Sequence, residues 1–160
     1  MIGIMADSHD NLHAIKKAVR LFIKEGCSLV IHAGDFVAPF SARELENLNC
    51  AVKGIFGNCD GEKQGLKKAF QPFGEIKEAP LIFKHKGLNF MVIHFNLPLD
   101  SYLSSGEYDV LIFAHTHKPE IRKVRKTLII NPGETGGWLS GKSTVAFLDT
   151  KTMHPEIITI

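Results

Sequence analysis

The first sixty residues alternate short apolar runs with longer stretches of helical periodicity. Met1–Ala6, Ser28–His32 and Ala51–Phe56 are short, apolar runs that predict buried strands. Between them, Leu12–Glu25 carries apolar residues at Leu12, Ile15, Val19, Leu21 and Phe22, a helical spacing that stops at Gly26. Ala38–Leu48 reads as a second helix. The resulting β-α-β-α-β order predicts parallel strands covered by helices. The second half changes to short β-rich runs at Pro80–Lys84, Leu88–His94, Val110–Ala114, Ile121–Val124, Thr127–Ile130, Thr144–Leu148 and Glu156–Ile160. Lys86-Gly87 and Arg125-Lys126 mark hairpins, and only Glu62–Phe70 and Pro98–Ser105 look helical there. At about 150 residues per domain, this chain predicts one α/β domain over residues 1–160, containing two sheets.

Composition narrows the classes. The apolar fraction of 44% is enough for a core that needs no disulfides. Nineteen Lys+Arg against seventeen Asp+Glu leave +2, which excludes a strongly basic nucleic-acid coat and a disordered acidic tail. Nucleic acid is therefore not the expected partner. The longest stretch without Asp, Glu, Lys or Arg, Gly87–Leu99, is too short for a membrane span. Asp7 leaves no room for the apolar core of a signal peptide. Three widely spaced cysteines suit a reducing compartment, so the expected location is cytoplasmic. A homodimer is the base-rate expectation for assembly.

The informative pattern lies where the strand-like runs end. Met1–Ala6 is followed by Asp7-Ser8-His9, Ser28–His32 by Ala33-Gly34-Asp35, and Ala51–Phe56 by Gly57-Asn58-Cys59-Asp60. Leu88–Ile93 ends in His94, and Val110–Ala114 in His115-Thr116-His117. In open α/β sheets the crevice beyond the carboxyl ends of the strands is the usual ligand site. Carboxylate, amide oxygen and imidazole together suit borderline-hard divalent metals. Asp7, His9, Asp35, Asn58, His94, His115 and His117 are too many for one tetrahedral zinc and match two metals sharing a carboxylate.

Asp7-x-His9, Gly34-Asp35, Gly57-Asn58-x-Asp60, His94 and His115-x-His117, in this order, resemble the metallophosphoesterase (calcineurin-like phosphoesterase) superfamily. The short chain, Gly57-Asn58-Cys59-Asp60 and Asn131-Pro132-Gly133 are similar to its small bacterial and archaeal phosphodiesterase branch. The resemblance implies a four-layer αββα sandwich, two mixed β-sheets flanked by helices. It implies Asp7, His9, Asp35 and His117 on one metal and Asp35, Asn58, His94 and His115 on the other, with Asp35 as the bridge. The implied cofactors are two divalent ions, Mn²⁺ or Ni²⁺ first, with Co²⁺, Fe and Zn²⁺ as alternatives. The implied reaction is hydrolysis of a small-molecule phosphodiester by a hydroxide bridging the metals, with Asp35, Asn58 and His94 at the chemistry. The rivals are a phosphomonoesterase on the same site and a binding scaffold, since a retromer subunit resembles the same fold.

Three departures from the family pattern bear on mechanism. Cys59 stands where many relatives carry a His that protonates the leaving group; general acid catalysis contributes about 10²–10⁴-fold, so substrates with good leaving groups such as aryl esters are expected. Ala114 replaces the usual Gly before the His-x-His pair, and Phe95-Asn96 follows His94 where Gly-His is common. The pocket wall is expected at Phe95–Leu103 and Thr135–Lys142.

Other chemistry-bearing residues have plainer expected roles. His13, His32, His85 and His154 are read as structural or surface histidines, Cys27 and Cys50 as core thiols, and Cys59 as a bystander at the pocket rim. Asp10 and Asn11 are expected to shape a loop and cap a helix, and Asp60 to order the Asn58 loop. Gly136–Ser143 matches the G-x-x-x-x-G-K-[ST] phosphate loop, but that mechanism needs a helix next, and Thr144–Leu148 reads as a strand. It is expected to be a glycine-rich turn near the metal centre.

Overall fold

The computed structural model describes residues 1–95 and 99–160. Asn96, Leu97 and Pro98, expected at the pocket wall and at a helix start, lie outside the described residues. The first sheet holds β1 (Ile2–Met5), β2 (Leu29–His32), β3 (Ala51–Ile55) and β4 (Gly74–Lys77), all parallel, with β10 (Thr144–Asp149) antiparallel beside β1 and β11 (His154–Thr159) antiparallel beside β10. The second holds β5 (Leu81–His85), β6 (Leu88–Val92), β7 (Val110–Ile112), β8 (Glu120–Val124) and β9 (Thr127–Asn131), in the order β5-β6-β7-β9-β8. There, β6, β7 and β9 run parallel and the two outer strands antiparallel. Helices α1 (Leu12–Lys24), α2 (Pro39–Ala42) and α3 (Lys63–Phe70) accompany the first sheet, and α4 (Leu99–Ser105) the second.

Three apolar layers explain this stacking. Ile2 and Ile4 of β1, Leu29 and Ile31 of β2 and Ile55 of β3 meet Phe90, Val92, Val110, Ile112, Leu128 and Ile130 between the two sheets. The alternate residues Val30 and Val52 face the other way, onto Ile15, Val19, Phe22, Leu66 and Phe70 of the helices. On the far side, Met91, Leu111 and Ile129 pack against Leu99 and Leu103 of α4. Helix, sheet, sheet, helix is the expected four-layer α/β sandwich of two mixed sheets. Strands β1 and β2 are buried on both faces, which is why they read as unbroken apolar runs rather than alternating ones.

Two elements depart from the sequence expectation. The helix expected over Ala38–Leu48 is only one turn long, Pro39–Ala42, and tightens into a 3-10 turn over Arg43–Asn47. Strand β4 was not expected, because its GEIK sequence buries only Ile76; it forms because parallel pairing to β3 completes that edge. No helix among the described residues is long and apolar enough to cross a membrane.

Candidate metal centre

Every loop of the site begins where a strand core ends. Beyond β1 come Asp7 and His9, beyond β2 Asp35, beyond β3 Asn58, beyond β6 His94, and beyond β7 His115 and His117. The parallel strands place these loops at one rim, and backbone hydrogen bonds stitch the first two together: Asp7 N donates to Gly34 O, His9 N to Asp35 O and Asp10 N to Phe36 O. Asp7, His9, Asp35, His115 and His117 all have left-handed backbones, with φ between 40° and 67°. Non-glycine residues rarely adopt that region, and such strain collects at functional sites, where the surrounding structure holds it in place.

The site side chains gather in two adjoining groups. The ligand atoms of Asp7, His9 and His117 lie within 4.8 Å of one another, and so do those of Asp35, His94 and His115. Asp35 links the groups: its Oδ2 is 3.6 Å from His9 Nε2 and 3.4 Å from His94 Nε2. His117 Nε2 is 3.7 Å from Asp7 Oδ1. Asn58 joins through its Oδ1, 2.9 Å from His94 Nε2. The structure thus brings all seven sequence-derived site residues to one rim. Cys59 lies there too, its Sγ grouped with the ligand atoms of His9 and Asp35.

This arrangement lacks the protons that would make it self-satisfied. Asp7 Oδ1, His9 Nε2 and His117 Nδ1 are buried without a hydrogen-bond partner. His94 Nδ1 is 2.8 Å from Ala33 O, a carbonyl that can only accept, so the ring proton sits on Nδ1. In the neutral ring, Nε2 then aims its lone pair at two more acceptors, Asn58 Oδ1 and Asp35 Oδ2. Lone pairs facing lone pairs are unfavourable unless a cation lies between them. Separations of 3.4–3.7 Å exceed a hydrogen bond but approach those of two donors about 2.0–2.2 Å from one divalent ion. The residues therefore fit a pair of divalent cations.

Charge follows the same geometry. Burial pushes the Asp7 carboxyl up to about 6, opposed by His94 and His117 and reinforced by the negative Asp35. Burial also acts to raise Asp35, but the His94 imidazole facing it and the hydrogen bond from the Cys59 N–H (2.8 Å to Oδ1) win and hold it well below the usual carboxylate range. His94 is pushed down by burial and up, on balance, by Asp35 and the Ala33 carbonyl. The Cys59 thiol is raised to about 11 by burial and by Asp35, Asp60 and Asp7, so it stays protonated.

Residues around the rim hold the loops. Asp60 is buried, and its two oxygens accept from Asp35 N, Phe36 N, Val37 N and Gly57 N at 2.7–3.0 Å. Gly57 is needed where it stands, since a Cβ there would collide with the Asp35 carboxylate. His32 is structural: Gly34 N donates to its Nδ1, so Nε2 carries the proton and donates to Ser8 Oγ at 3.0 Å. It thereby pins the two loops that carry Asp7 and Asp35. Asn11 caps α1 by accepting from Ala14 N, and Asp10 accepts from Ala38 N. Cys27 and Cys50 pack, partly buried, against the helix-side core. Gly136–Ser143 leads into β10 rather than a helix, so it has no phosphate-loop geometry.

Glu134 is the site residue the sequence reading missed. It is fully buried, and its Oε1 lies 3.4 Å from His117 Nδ1, while its carboxylate accepts from Leu139 N, Ser140 N and Ser140 Oγ. A carboxylate behind a histidine sets the ring's orientation and basicity. The one signal for it was its place directly after Asn131-Pro132-Gly133. A cleft of about 440 Å³ opens over these groups, with Asn58, His115 and Glu134 in its wall and Trp138 and Leu139 at its rim.

Comparison with known proteins agrees with this geometry. The model of the calcineurin-like phosphoesterase superfamily domain matches residues 1–153. The chain belongs to the calcineurin-like phosphoesterase superfamily and is, with it, an enzyme of phosphoester hydrolysis. It is 40% identical to phosphodiesterase MJ0936 of Methanocaldococcus jannaschii, over 98% of each chain. The solved structure of an archaeal phosphodiesterase superposes with a TM-score of 0.95 at 38% identity, covering 99% of both chains. Vps29 of Chaetomium thermophilum shares the fold at a TM-score of 0.73 and 15% identity, over 99% of this chain and 95% of that one.

Proposed function

We propose that this chain is a phosphodiesterase that works with two divalent cations, one held by Asp7, His9, Asp35 and His117, the other by Asp35, Asn58, His94 and His115. The observation that carries the reading is the convergence of His9 Nε2, buried without a hydrogen-bond partner, and His94 Nε2 on Asp35 Oδ2, beside the unpartnered Asp7 Oδ1 that faces His117 Nε2. The full-length likeness to an archaeal phosphodiesterase supports it. Divalent cations in such a site supply Lewis acidity, lowering the pKa of water and balancing charge on phosphate oxygens. The protein's own contribution is orientation. The Ala33 carbonyl fixes the His94 tautomer, Cys59 Sγ accepts from Asn58 Nδ2 at 3.3 Å and turns the amide oxygen inward, and Glu134 backs His117.

Two features of the cleft favour diesters with good leaving groups. Among the described residues lining it there is no Lys or Arg, and Lys118 lines only the adjoining groove, so the cleft itself offers the second negative charge of a monoester no side-chain cation. Cys59, a thiol raised to about 11, is a weak acid in the position from which a leaving group would be protonated. The test is steady-state turnover with added Mn²⁺ of bis(p-nitrophenyl) phosphate, p-nitrophenyl phosphate and an alkyl diester, in wild type and Cys59→His. The aryl diester is expected to be fastest, and Cys59→His to narrow the aryl–alkyl gap by about 10²-fold. A monoester turned over faster than the diester would overturn the reading.

Cation binding carries its own pH signature. A raised Asp7 pKa means that the metal-free fold binds a proton at Asp7 below about pH 6, and His94 shifts in the same direction. A cation must displace both protons, so affinity is full only above the raised His94 pKa, which lies above the ordinary imidazole value of about 6.5, and falls as pH drops through it and then through about 6. Calorimetric titration with Mn²⁺ between pH 8 and pH 5 should show affinity level at first and then weakening by about tenfold per pH unit for each proton displaced. Equal affinity at pH 5 and pH 7 would remove Asp7 from the ligand set.

A further inference from the structure

The rim of the cleft carries apolar surface that hydrolysis does not require. Leu139 and Trp138, 79% and 64% exposed, are the two most exposed large apolar side chains among the described residues, and they are neighbours in sequence. Leaving such groups in water is costly, and an exposed apolar pair at a binding cleft marks a contact surface. Both line the cleft that holds His9, His115 and His117.

The surface is rigidly built. Trp138 Nε1 donates to His9 O at 3.0 Å, which fixes the indole against the loop that carries Asp7 and His9. The chain leading to it is sewn to the same loop: Thr135 N donates to Ala6 O, Gly136 N to Asp7 O and Asn11 Nδ2 to Gly136 O, at 2.7–3.0 Å. A Cβ on Gly136 would press on Ser8 O, Asp7 O and the Trp138 ring, and Gly137 turns at φ +68°, so this pair of glycines permits the close approach. Past the tryptophan, the buried Glu134 carboxylate accepts from Leu139 N, Ser140 N and Ser140 Oγ. The indole is thus held before any ligand arrives, and little entropy is lost in using it.

Resting on the phosphodiesterase reading, we propose that Trp138, with Leu139 beside it, is a specificity platform that receives a planar aromatic substituent of the phosphodiester while its phosphate lies over the histidines. No Lys or Arg lines the cleft on the Trp138 side, and the nearest cation among the described lining residues, Lys118, lies in the adjoining groove beyond His115 and His117, so the interaction the Trp138 side offers is stacking. The preferred substrate class is a singly charged diester that carries an aryl group or a nucleobase.

Trp138 is the sole tryptophan, so its fluorescence reports occupancy without turnover. The Mn²⁺-loaded protein is titrated with diphenyl phosphate, diethyl phosphate and the methyl ester of thymidine 5′-phosphate, with competition against bis(p-nitrophenyl) phosphate hydrolysis for variants lacking the indole. Diphenyl phosphate should quench the fluorescence and bind about tenfold or more tightly than diethyl phosphate. Trp138→Ala should abolish that preference and Trp138→Phe restore most of it. Trp138-dependent tightening of the thymidine ester assigns the platform to a nucleobase; its absence assigns it to a simple aryl group. Equal affinity for the aryl and alkyl diesters, or a preference unchanged in Trp138→Ala, overturns the platform while leaving diester hydrolysis standing. Direct, indole-dependent binding of diphenyl phosphate by a protein that turns over no diester retains the platform and removes the phosphodiesterase reading instead.

Discussion

Asp35→Asn is expected to lower phosphodiester turnover by at least about 10³-fold, equivalent to ~4 kcal/mol of transition-state stabilisation. Asparagine is the informative replacement because it keeps the shape and the acceptor for Cys59 N–H, 2.8 Å from Oδ1 in the wild type. What it loses is charge. Asp35 is held well below the usual carboxylate range, so it is ionised at every working pH. Its Oδ2 faces His9 Nε2 at 3.6 Å and His94 Nε2 at 3.4 Å, one from each half of the site. An amide turned the same way would set an N–H₂ donor there, repelling a cation in either half. Elemental analysis of the purified variant should therefore show both ions reduced, not one, with a thermal midpoint close to that of metal-stripped wild type. Two ions per chain with turnover intact would end the bridging role of Asp35.

The chemistry of this site was legible because it sits at strand ends. Asp7, Asp35, Asn58, His94 and His115 each follow an apolar run closely, and parallel pairing of β1, β2 and β3 turns that sequence position into spatial proximity. The double-sided burial of β1 and β2 likewise announced itself as unbroken hydrophobicity. Features set by tertiary context were not legible. Strand β4 has one buried residue and borrows its stability from β3. The helix expected at Ala38–Leu48 tightens to a 3-10 turn after one α-helical turn, which a periodicity of apolar residues cannot distinguish. Glu134 sits in a glycine-rich segment and drew no reading from the sequence. Its burial depends on His117 and on the backbone of Leu139 and Ser140, partners that only the folded loop supplies. The left-handed backbones at five of the seven site positions are not legible either, because Asp and His, though enriched in that region, occupy the ordinary regions far more often.

Asp60→Ala should be strongly damaging to the fold although Asp60 touches no substrate. The sequence reading expected Asp60 to order the Asn58 loop, and the structure gives it a wider task. Its two oxygens accept four backbone N–H groups, three from the loop after β2 and one from the loop after β3. Asp60 itself is buried, so alanine leaves donors stranded in a space that water does not reach freely. Each stranded buried donor costs about 1–3 kcal/mol. Even if two regain partners, the loss is about 2–6 kcal/mol, a large share of the 5–15 kcal/mol that holds a typical domain together. For a chain of this size that corresponds to a fall of roughly 4–24 °C in Tm. Asp60→Asn should fall between, because one carboxamide oxygen still accepts while the N–H₂ opposes the remaining donors. The loss should reach function as well, since Asp35 N and Gly57 N flank two of the groups proposed to hold cations; Mn²⁺ affinity of whatever Asp60→Asn protein folds should drop by about 10–100-fold. Scanning calorimetry of the metal-stripped proteins separates the two effects. A midpoint within 2 °C of wild type, by the order-of-magnitude relation between stability and Tm, would show that the four N–H groups find other partners and that Asp60 does not hold the loops.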